Sequence, residues 1–521
     1  MGSKEQFLQD IKAGYTFKGE HIKIGRAVLN GEVVPGADIF LPLKMVNRHG
    51  LIAGATGTGK TKTLQMLSEQ LSAASVPVLV LDIKGDLSGI AAPGTPGDRL
   101  RERISQLELE WQPQALPVEL LTLSEKPGVR LRATVSEFGP ILLSKILELN
   151  DTQGGVVAMI FKYCDDQKMP LLDLKDFIKV LQFISDEGKK EIEAAYGKIS
   201  TTSTGTILRK VIELQQQGAD LFFGERSFEV DDLMRISDDG RGIVSVLRVT
   251  ELQDRPKLFS TFMLQLLAEL YATLPEEGDL ETPKLVLFID EAHLIFNGAS
   301  TVLLQQIETI MKLIRSKGVG VYFCTQNPMD IPSAVLSQLG TKIQHALRAF
   351  TAADRKTIRQ AAENYPETAY YDTDELLTQL GIGEALVTLL NEKGIPTPLV
   401  HTMMAPPQSR MDVLTETEVQ SIVQQSKIAS RYNQPVDSHS AYEILNEKLN
   451  LAQQRTEEIK QMEAAAKTQK PSGKAPKEES WMDNPVVRQA GRTAAGILTR
   501  SLLGVLGLGG TTRRRKTRSL F

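Results

Sequence analysis

Residues Gly54-Ala55-Thr56-Gly57-Thr58-Gly59-Lys60-Thr61 constrain this chain more than any other stretch. They satisfy G-x-x-x-x-G-K-[ST], directly after the apolar run LIA and before TKTLQMLSEQLSAA, whose apolar spacing predicts a helix. A strand that turns through glycines straight into a helix presents backbone N–H groups at a positive helix terminus, an arrangement that wraps phosphates. Lys60 is then placed to neutralise β- and γ-phosphate oxygens, and the Thr61 hydroxyl to complete coordination of Mg2+. Gly54 to Thr61, with Thr63 beside them, form the candidate nucleotide-binding set. A plain glycine-rich turn is the competing reading, and the strand-and-helix context speaks against it.

A second run, Leu285-Val286-Leu287-Phe288-Ile289-Asp290-Glu291-Ala292-His293, is an apolar strand ending in two carboxylates. Asp290 at the strand end suits the Mg2+ ion, through water, and Glu291 suits the general base for a water attacking the γ-phosphate. A strand followed by an acidic turn is the alternative. His293 is either a packed neighbour or a member of the catalytic network. The letters D-E-A-H invite a DEAH-box helicase reading, but no S-A-T triplet and no Q-x-x-G-R-x-G-R follow, and Lys60 lies too far upstream. A guanine-reading [NT]-K-x-D is also missing, since Thr341-Lys342-Ile343-Gln344 fails at its last position, so ATP is the expected nucleotide.

Arg315 to Gln326 add a third feature. Gln326 ends the apolar run VGVYFCT, where an amide could sense the γ-phosphate or orient water; a plain turn residue is the alternative. Arg315 precedes the Gly318 turn and suits either a solvated helix end or an arginine finger acting on a neighbouring subunit's nucleotide.

The alternation of strands, turns and helices from Gly50 onward predicts an α/β fold with a mainly parallel sheet. The pattern divides the chain into a β-rich lead-in element (1–45), the first part of a nucleotide-binding core (46–133), a helical insertion (134–240), the second part of the core (241–405), a helical extension (406–468), a flexible linker (469–482) and an apolar, basic tail (483–521). With 521 residues, 41% hydrophobic and 24% charged, collagenous, largely disordered and membrane-embedded classes are excluded. Cys164 and Cys324 are the only cysteines and lie far apart, so a disulfide framework and a cysteine metal site are both excluded and a reducing, cytoplasmic location is expected. No leader and no run long enough to span a membrane is expected. The net charge of −4 includes Arg513, Arg514, Arg515, Lys516 and Arg518, so the body is more acidic than the total states, and a nucleic-acid partner would need a locally basic channel or that tail. The tail itself reads as a phosphate-binding arm or a solvated terminus.

NRHGLIAGATGTGKT (Asn47 to Thr61), VLVLDIKGDLSGI (Val78 to Ile90), GIVSVLRVTELQDRPKLFSTF (Gly242 to Phe262), LVLFIDEAHLIF (Leu285 to Phe296) and the segment Arg315 to Pro328 together resemble the HerA/FtsK superfamily of P-loop motors, in its bacterial HerA-helicase-like branch of the YjgR type. The resemblance covers about residues 15 to 410. It implies a RecA-like sheet, a homo-oligomeric and hexameric ring, ATP hydrolysis at subunit interfaces, and movement of double-stranded DNA through the pore. It also implies that Gln326 is a sensor and that Arg315, eleven residues earlier, reaches across the ring. Two departures stand out: residues 1–45 are too few for the amino-terminal β-barrel with which HerA proteins dock a nuclease, and the membrane spans and DNA-reading winged helix of FtsK-type proteins have no counterpart. A reading of another class is an ATP-dependent assembly or switch protein that remodels a protein partner through the insertion and tail.

Several residues keep two readings. Asp82 and Asp86 touch water or ribose, or only shape a turn with Lys84 and Gly85. Arg248 meets nucleotide or a buried ion pair. Arg348 is a second candidate for interface work, ranked below Arg315. Asn47 and His49 pack under the nucleotide or simply in the core.

Overall fold

Consecutive apolar residues bounded by Gly and Pro become buried strands, because only a sheet covered on both faces can use such runs. The computed structural model describes residues 4–468, apart from 279, 298–300, 350, 435 and 437. The linker at 469–482 and the tail at 483–521, with its basic cluster, lie outside the described residues. Twelve strands are present among the described residues: β1 (His21–Leu29), β2 (Glu32–Pro42), β3 (Gly50–Ala53), β4 (Val78–Asp82), β5 (Val118–Thr122), β6 (Val129–Arg130), β7 (Val244–Arg248), β8 (Leu285–Ile289), β9 (Val319–Thr325), β10 (Thr341–His345), β11 (Glu384–Thr388) and β12 (Val400–Met404). They form one sheet in the order β2-β1-β12-β11-β10-β3-β9-β8-β4-β7-β5-β6.

From β10 to β6 every neighbouring pair is parallel, and β4, β8 and β9 are buried along their whole length. The helices Lys60–Ala73, Pro256–Thr273 and Thr301–Ile314 alternate with these strands along the chain. From β10 outward the pairing turns antiparallel. The lead-in expected to be β-rich opens instead with the helix Lys4–Tyr15, which buries Phe7, Ile11 and Tyr15 at helical spacing. It continues as a hairpin, β1 and β2, closed by Asn30 and Gly31, both at positive φ, as a two-residue turn of this hand requires. It extends the core sheet by pairing with β12.

The described residues form two compact units, one drawn from 4–149 and 212–436, the other from 150–211 and 438–468. The first holds the whole sheet. In the second, the helices Asp151–Gln167, Leu174–Ser185 and Lys189–Tyr196 are joined by Ala441–Thr468, a 28-residue helix. Its start is fixed by Asp176, fully buried, which accepts hydrogen bonds from the Ser440 hydroxyl and from Tyr442 N–H at 2.9 Å. Segments read separately as an insertion and an extension thus share a core.

Candidate active site

Ligands of parallel α/β sheets bind outside the carboxyl ends of the strands. Register fixes what meets there: Ala53 at the end of β3 is level with Thr325 of β9 and Gln344 of β10, Ile289 of β8 is level with Phe323 and with Leu81 of β4, and Asp82 is level with Arg248 of β7. Residues that follow these positions converge on one edge.

The phosphate loop leaves β3 and is held from both sides. Gly54 N–H donates to Thr325 O at 3.2 Å, Ala55 N–H to Ala346 O at 2.8 Å, and Thr58 O accepts from Gly383 N–H at 2.8 Å. Gly59 has φ 114, and a Cβ there would stand 3.0 Å from the Gly383 backbone, so only glycine makes this turn. Thr56 and Gly57 at the crest are exposed. The Lys60 ammonium, 6% exposed, folds back to Ala55 O at 3.2 Å. Burial pulls its pKa below the ordinary lysine value, Lys84 pulls it further, and Glu291 and Asp290 oppose. Thr61 stands half-buried on the first turn of the helix. Thr63 is buried, and its hydroxyl lies 2.9 Å from His345 Nε2. Its side chain therefore supports the loop from within the core.

Asp290 follows β8 and is almost fully buried; its Oδ2 has no hydrogen-bond partner. Burial pushes its pKa up to about 7, against the favourable charge of Lys84. Glu291 adopts φ 47, a left-handed conformation that costs a non-glycine residue about 1 kcal/mol or more and that turns its carboxylate off the strand axis. That carboxylate is ion-paired with Lys84 through one oxygen and lies 3.0 Å from His293 Nδ1 through the other. His293 thus touches Glu291 directly.

Gln326 is exposed just after β9, and Asp330 holds its surroundings by accepting from Thr325 Oγ1 at 2.8 Å and Asn327 N–H at 3.2 Å. Asp82, fully buried, accepts from the N–H groups of Gly85 (2.7 Å), Asp86 (3.2 Å) and Leu87 (3.2 Å), so it shapes the turn after β4; burial raises its pKa to about 6. Asp86 keeps one buried oxygen without a partner. Arg248 donates to Pro127 O at 3.5 Å, and Arg348, exposed after β10, to Thr378 O at 3.2 Å.

Arg315 and His49 belong to the other edge. Arg315 precedes β9, whose seven residues separate it from Gln326 by roughly 20 Å. His49 is buried between Met311 O (2.9 Å from Nε2) and Val321 N–H (3.1 Å from Nδ1), and Asn47 is buried nearby in sequence, so both serve packing beneath the amino ends of the strands.

Thr61 and Asp290 offer hard oxygen donors, and the unpartnered Asp290 Oδ2 is a ligand in waiting; the pair fits Mg2+ carried with a nucleotide's phosphates. Among the described residues there is no group of three or more His, Cys, Asp or Glu side chains that could hold a metal ion.

Residues 28–514 match the family described as Helicase HerA-like C-terminal. The chain belongs to this family. The DNA double-strand break repair helicase HerA of Saccharolobus solfataricus is 25% identical over 393 residues, covering 74% of this chain and 69% of that one. Its namesake from Sulfolobus acidocaldarius is 20% identical over 397 residues, 74% and 70% of the two chains. In fold, this HerA-like chain is similar to the bacterial conjugative coupling protein TrwB in its ΔN70 form, with a TM-score of 0.50 at 13% identity over 76% of this chain and 97% of that one. The HerA-like protein is a P-loop ATPase with a RecA-like core.

Three neighbours of the site escaped sequence reasoning as functional groups. Lys84 was legible only as part of a turn. His345 ends a recognisable strand, the position at which Asp290 and Gln326 also follow theirs. Arg103, on the exposed helix Asp98–Gln106, donates to Ile382 O at 2.5 Å and Gly383 O at 3.3 Å, gripping the turn that backs the phosphate loop. Beside the first turn of the phosphate-loop helix, Lys62 donates to Met411 O at 2.5 Å, and Met411 lines a cavity of about 520 Å³ together with Ser409, Gly94, Thr95 and residues 97–100.

Proposed function

We propose that this ATPase works as a homo-oligomeric ring, a hexamer, that hydrolyses ATP between subunits and moves double-stranded DNA. The observation that carries the reading is the placement of Arg315 and Gln326 at opposite ends of β9: one subunit has a complete set of phosphate-binding residues at one edge of the sheet and an exposed arginine at the other. An arginine so placed serves a neighbour's nucleotide and not its own. The curated relatives bear the name of DNA double-strand break repair helicases, which supports DNA as the substrate of this chain too.

In this reading the loop N–H groups and Lys60 hold the β- and γ-phosphates, and Gln326 orients the water. Glu291 takes that water's proton as its oxygen attacks the γ-phosphorus and the bridging oxygen departs with ADP. Thr61 and Asp290 would hold Mg2+, which when bound neutralises charge on the phosphate oxygens. The cavity beside Lys62 receives the nucleoside end of ATP; its volume is in the range of small-molecule sites. Both described cysteines are free and buried, which fits a reducing, cytoplasmic setting, and no described helix is long and apolar enough to cross a membrane.

The test is steady-state ATP hydrolysis with and without linear duplex DNA at low and moderate salt, with Lys60→Ala as the blank. Stimulation that fades with salt supports the motor. Hydrolysis that depends on Lys60 but ignores DNA would overturn the DNA reading and favour the acidic body's alternative, remodelling of a protein partner.

A further inference from the structure

The turn after β4 brings a lysine to the general base. Lys84 is one-third exposed, stands on a backbone fixed by three N–H bonds to Asp82, and pairs with Glu291. A fixed backbone under a flexible four-carbon stem lets the ammonium move while the turn does not. Glu291 has no such freedom at its root, since its own backbone is held in the left-handed region beside the buried end of β8. An ion-paired carboxylate is a poor base, because accepting a proton forfeits the pair. Hydrolysis therefore requires the Lys84 ammonium to go elsewhere, and the anion that enters this site is the terminal phosphate of ATP. The charge of Lys84 already acts on Lys60 across the space next to Asp290 and Glu291, so a phosphate between them relieves that repulsion.

We propose that Lys84 is a positioning residue that shuttles between Glu291 and the γ-phosphate: without a triphosphate it sequesters the base, and on ATP binding it moves to the phosphate oxygens and frees Glu291 to act. ADP lacks the competing oxygens and leaves the pair intact. Turnover is thereby tied to the triphosphate, independently of DNA; the proposal rests on the ATP site and not on the motor reading.

The test is equilibrium binding of ADP and of a non-hydrolysable ATP analogue to the full chain and to Lys84→Met, Lys84→Arg, Glu291→Gln and the Lys84→Met/Glu291→Gln pair. Lys84→Met is expected to weaken the analogue about tenfold and to leave ADP within twofold, with Lys84→Arg restoring most of the loss. Glu291→Gln is expected to tighten the analogue severalfold without changing ADP, because no ion pair must then be broken, and the double variant is expected to behave as Lys84→Met does. Equal weakening of both nucleotides by Lys84→Met would mark a structural role and overturn the proposal. So would unchanged binding, or a Glu291→Gln variant that fails to tighten the analogue. Loss of DNA stimulation in an otherwise normal binding series would count against the motor alone.

Discussion

The imidazole of His345 joins the end of β10 to the phosphate-loop helix through Thr63, 2.9 Å from its hydroxyl, while its Nδ1 donates to Glu384 O at 2.8 Å. With its pKa lowered to about 4 the ring is neutral at pH 7, and Nε2 then accepts from the Thr63 hydroxyl. Burial, with Lys60 and Arg103 nearby, lowers its pKa to about 4, and His49 is lowered to about 4 by burial as well. The unfolded chain binds these protons near pH 6.5 and the folded chain near 4, so the stability that the two neutral histidines contribute is complete above 6.5 and is lost as the pH drops toward 4. At pH 5 each histidine costs about 2 kcal/mol. Asp290 and Asp82, whose pKa values burial raises to about 7 and about 6, act in the opposite sense over the same range, so the contribution of His345 is read by difference. In urea unfolding at pH 7 and pH 5, His345→Asn should shift the stability change between the two pH values by about 2 kcal/mol in favour of pH 5. A pH difference that His345→Asn leaves untouched would show that His345 is not the titrating group.

Asp290 sets a different pH dependence. With its pKa pushed up to about 7 by burial, the carboxyl is mostly protonated at pH 6 and ionised at pH 8, and only the ionised form binds Mg2+. The Mg2+ concentration needed for half-maximal hydrolysis is expected to be about tenfold higher at pH 6 than at pH 8. Asp290→Asn should raise the requirement and flatten its pH dependence. Equal Mg2+ requirements at the two pH values in the unmodified protein would remove Asp290 as the ligand.

The strands of the core were readable because β3, β4, β8 and β9 are unbroken apolar runs, and the phosphate loop because glycine, lysine and threonine recur at fixed offsets. The lead-in was readable only as β-rich, although Asn30-Gly31 is a two-residue turn signal. The neighbours in space were not readable. Lys84 meets Glu291 only because β4 pairs with β8, and Thr63 meets His345 only because β10 lies next to β3. Strand order is a property of the packed sheet, and no spacing within one run encodes it. The docking of β1 on β12 was hidden for the same reason, since edge pairing uses backbone groups that every residue carries. Asp82 shows the converse: a carboxylate at a strand end looks chemical in sequence, and three N–H bonds assign it to the turn.

The cavity beside Lys62 makes a prediction through Gly97. This residue has φ −80 and ψ 174, a conformation open to any amino acid, and a Cβ there would meet no atom within 4 Å. Gly97→Trp should fill the cavity without straining the backbone. If the nucleoside sits there, KM for ATP should rise about tenfold with kcat within twofold, the pattern of lost uniform binding. Unchanged KM, with the melting temperature also unchanged, would place the base elsewhere.

Arg315 gives the sharpest test of shared sites. If it serves the next subunit, Arg315→Ala should bind ATP normally and hydrolyse it at least 100-fold more slowly, as loss of a charge-stabilising arginine implies. Lys60→Ala should fail for the opposite reason, at its own phosphates. In rings mixed from equal amounts of the two variants, a subunit keeping Lys60 can face one keeping Arg315, and such interfaces form at about one site in four. Mixing should therefore restore roughly a quarter of the unmodified rate. If mixing restores nothing although the variants co-assemble, Arg315 does not complete a neighbour's site, and Arg348, on the carboxyl edge after β10, becomes the arginine to change next.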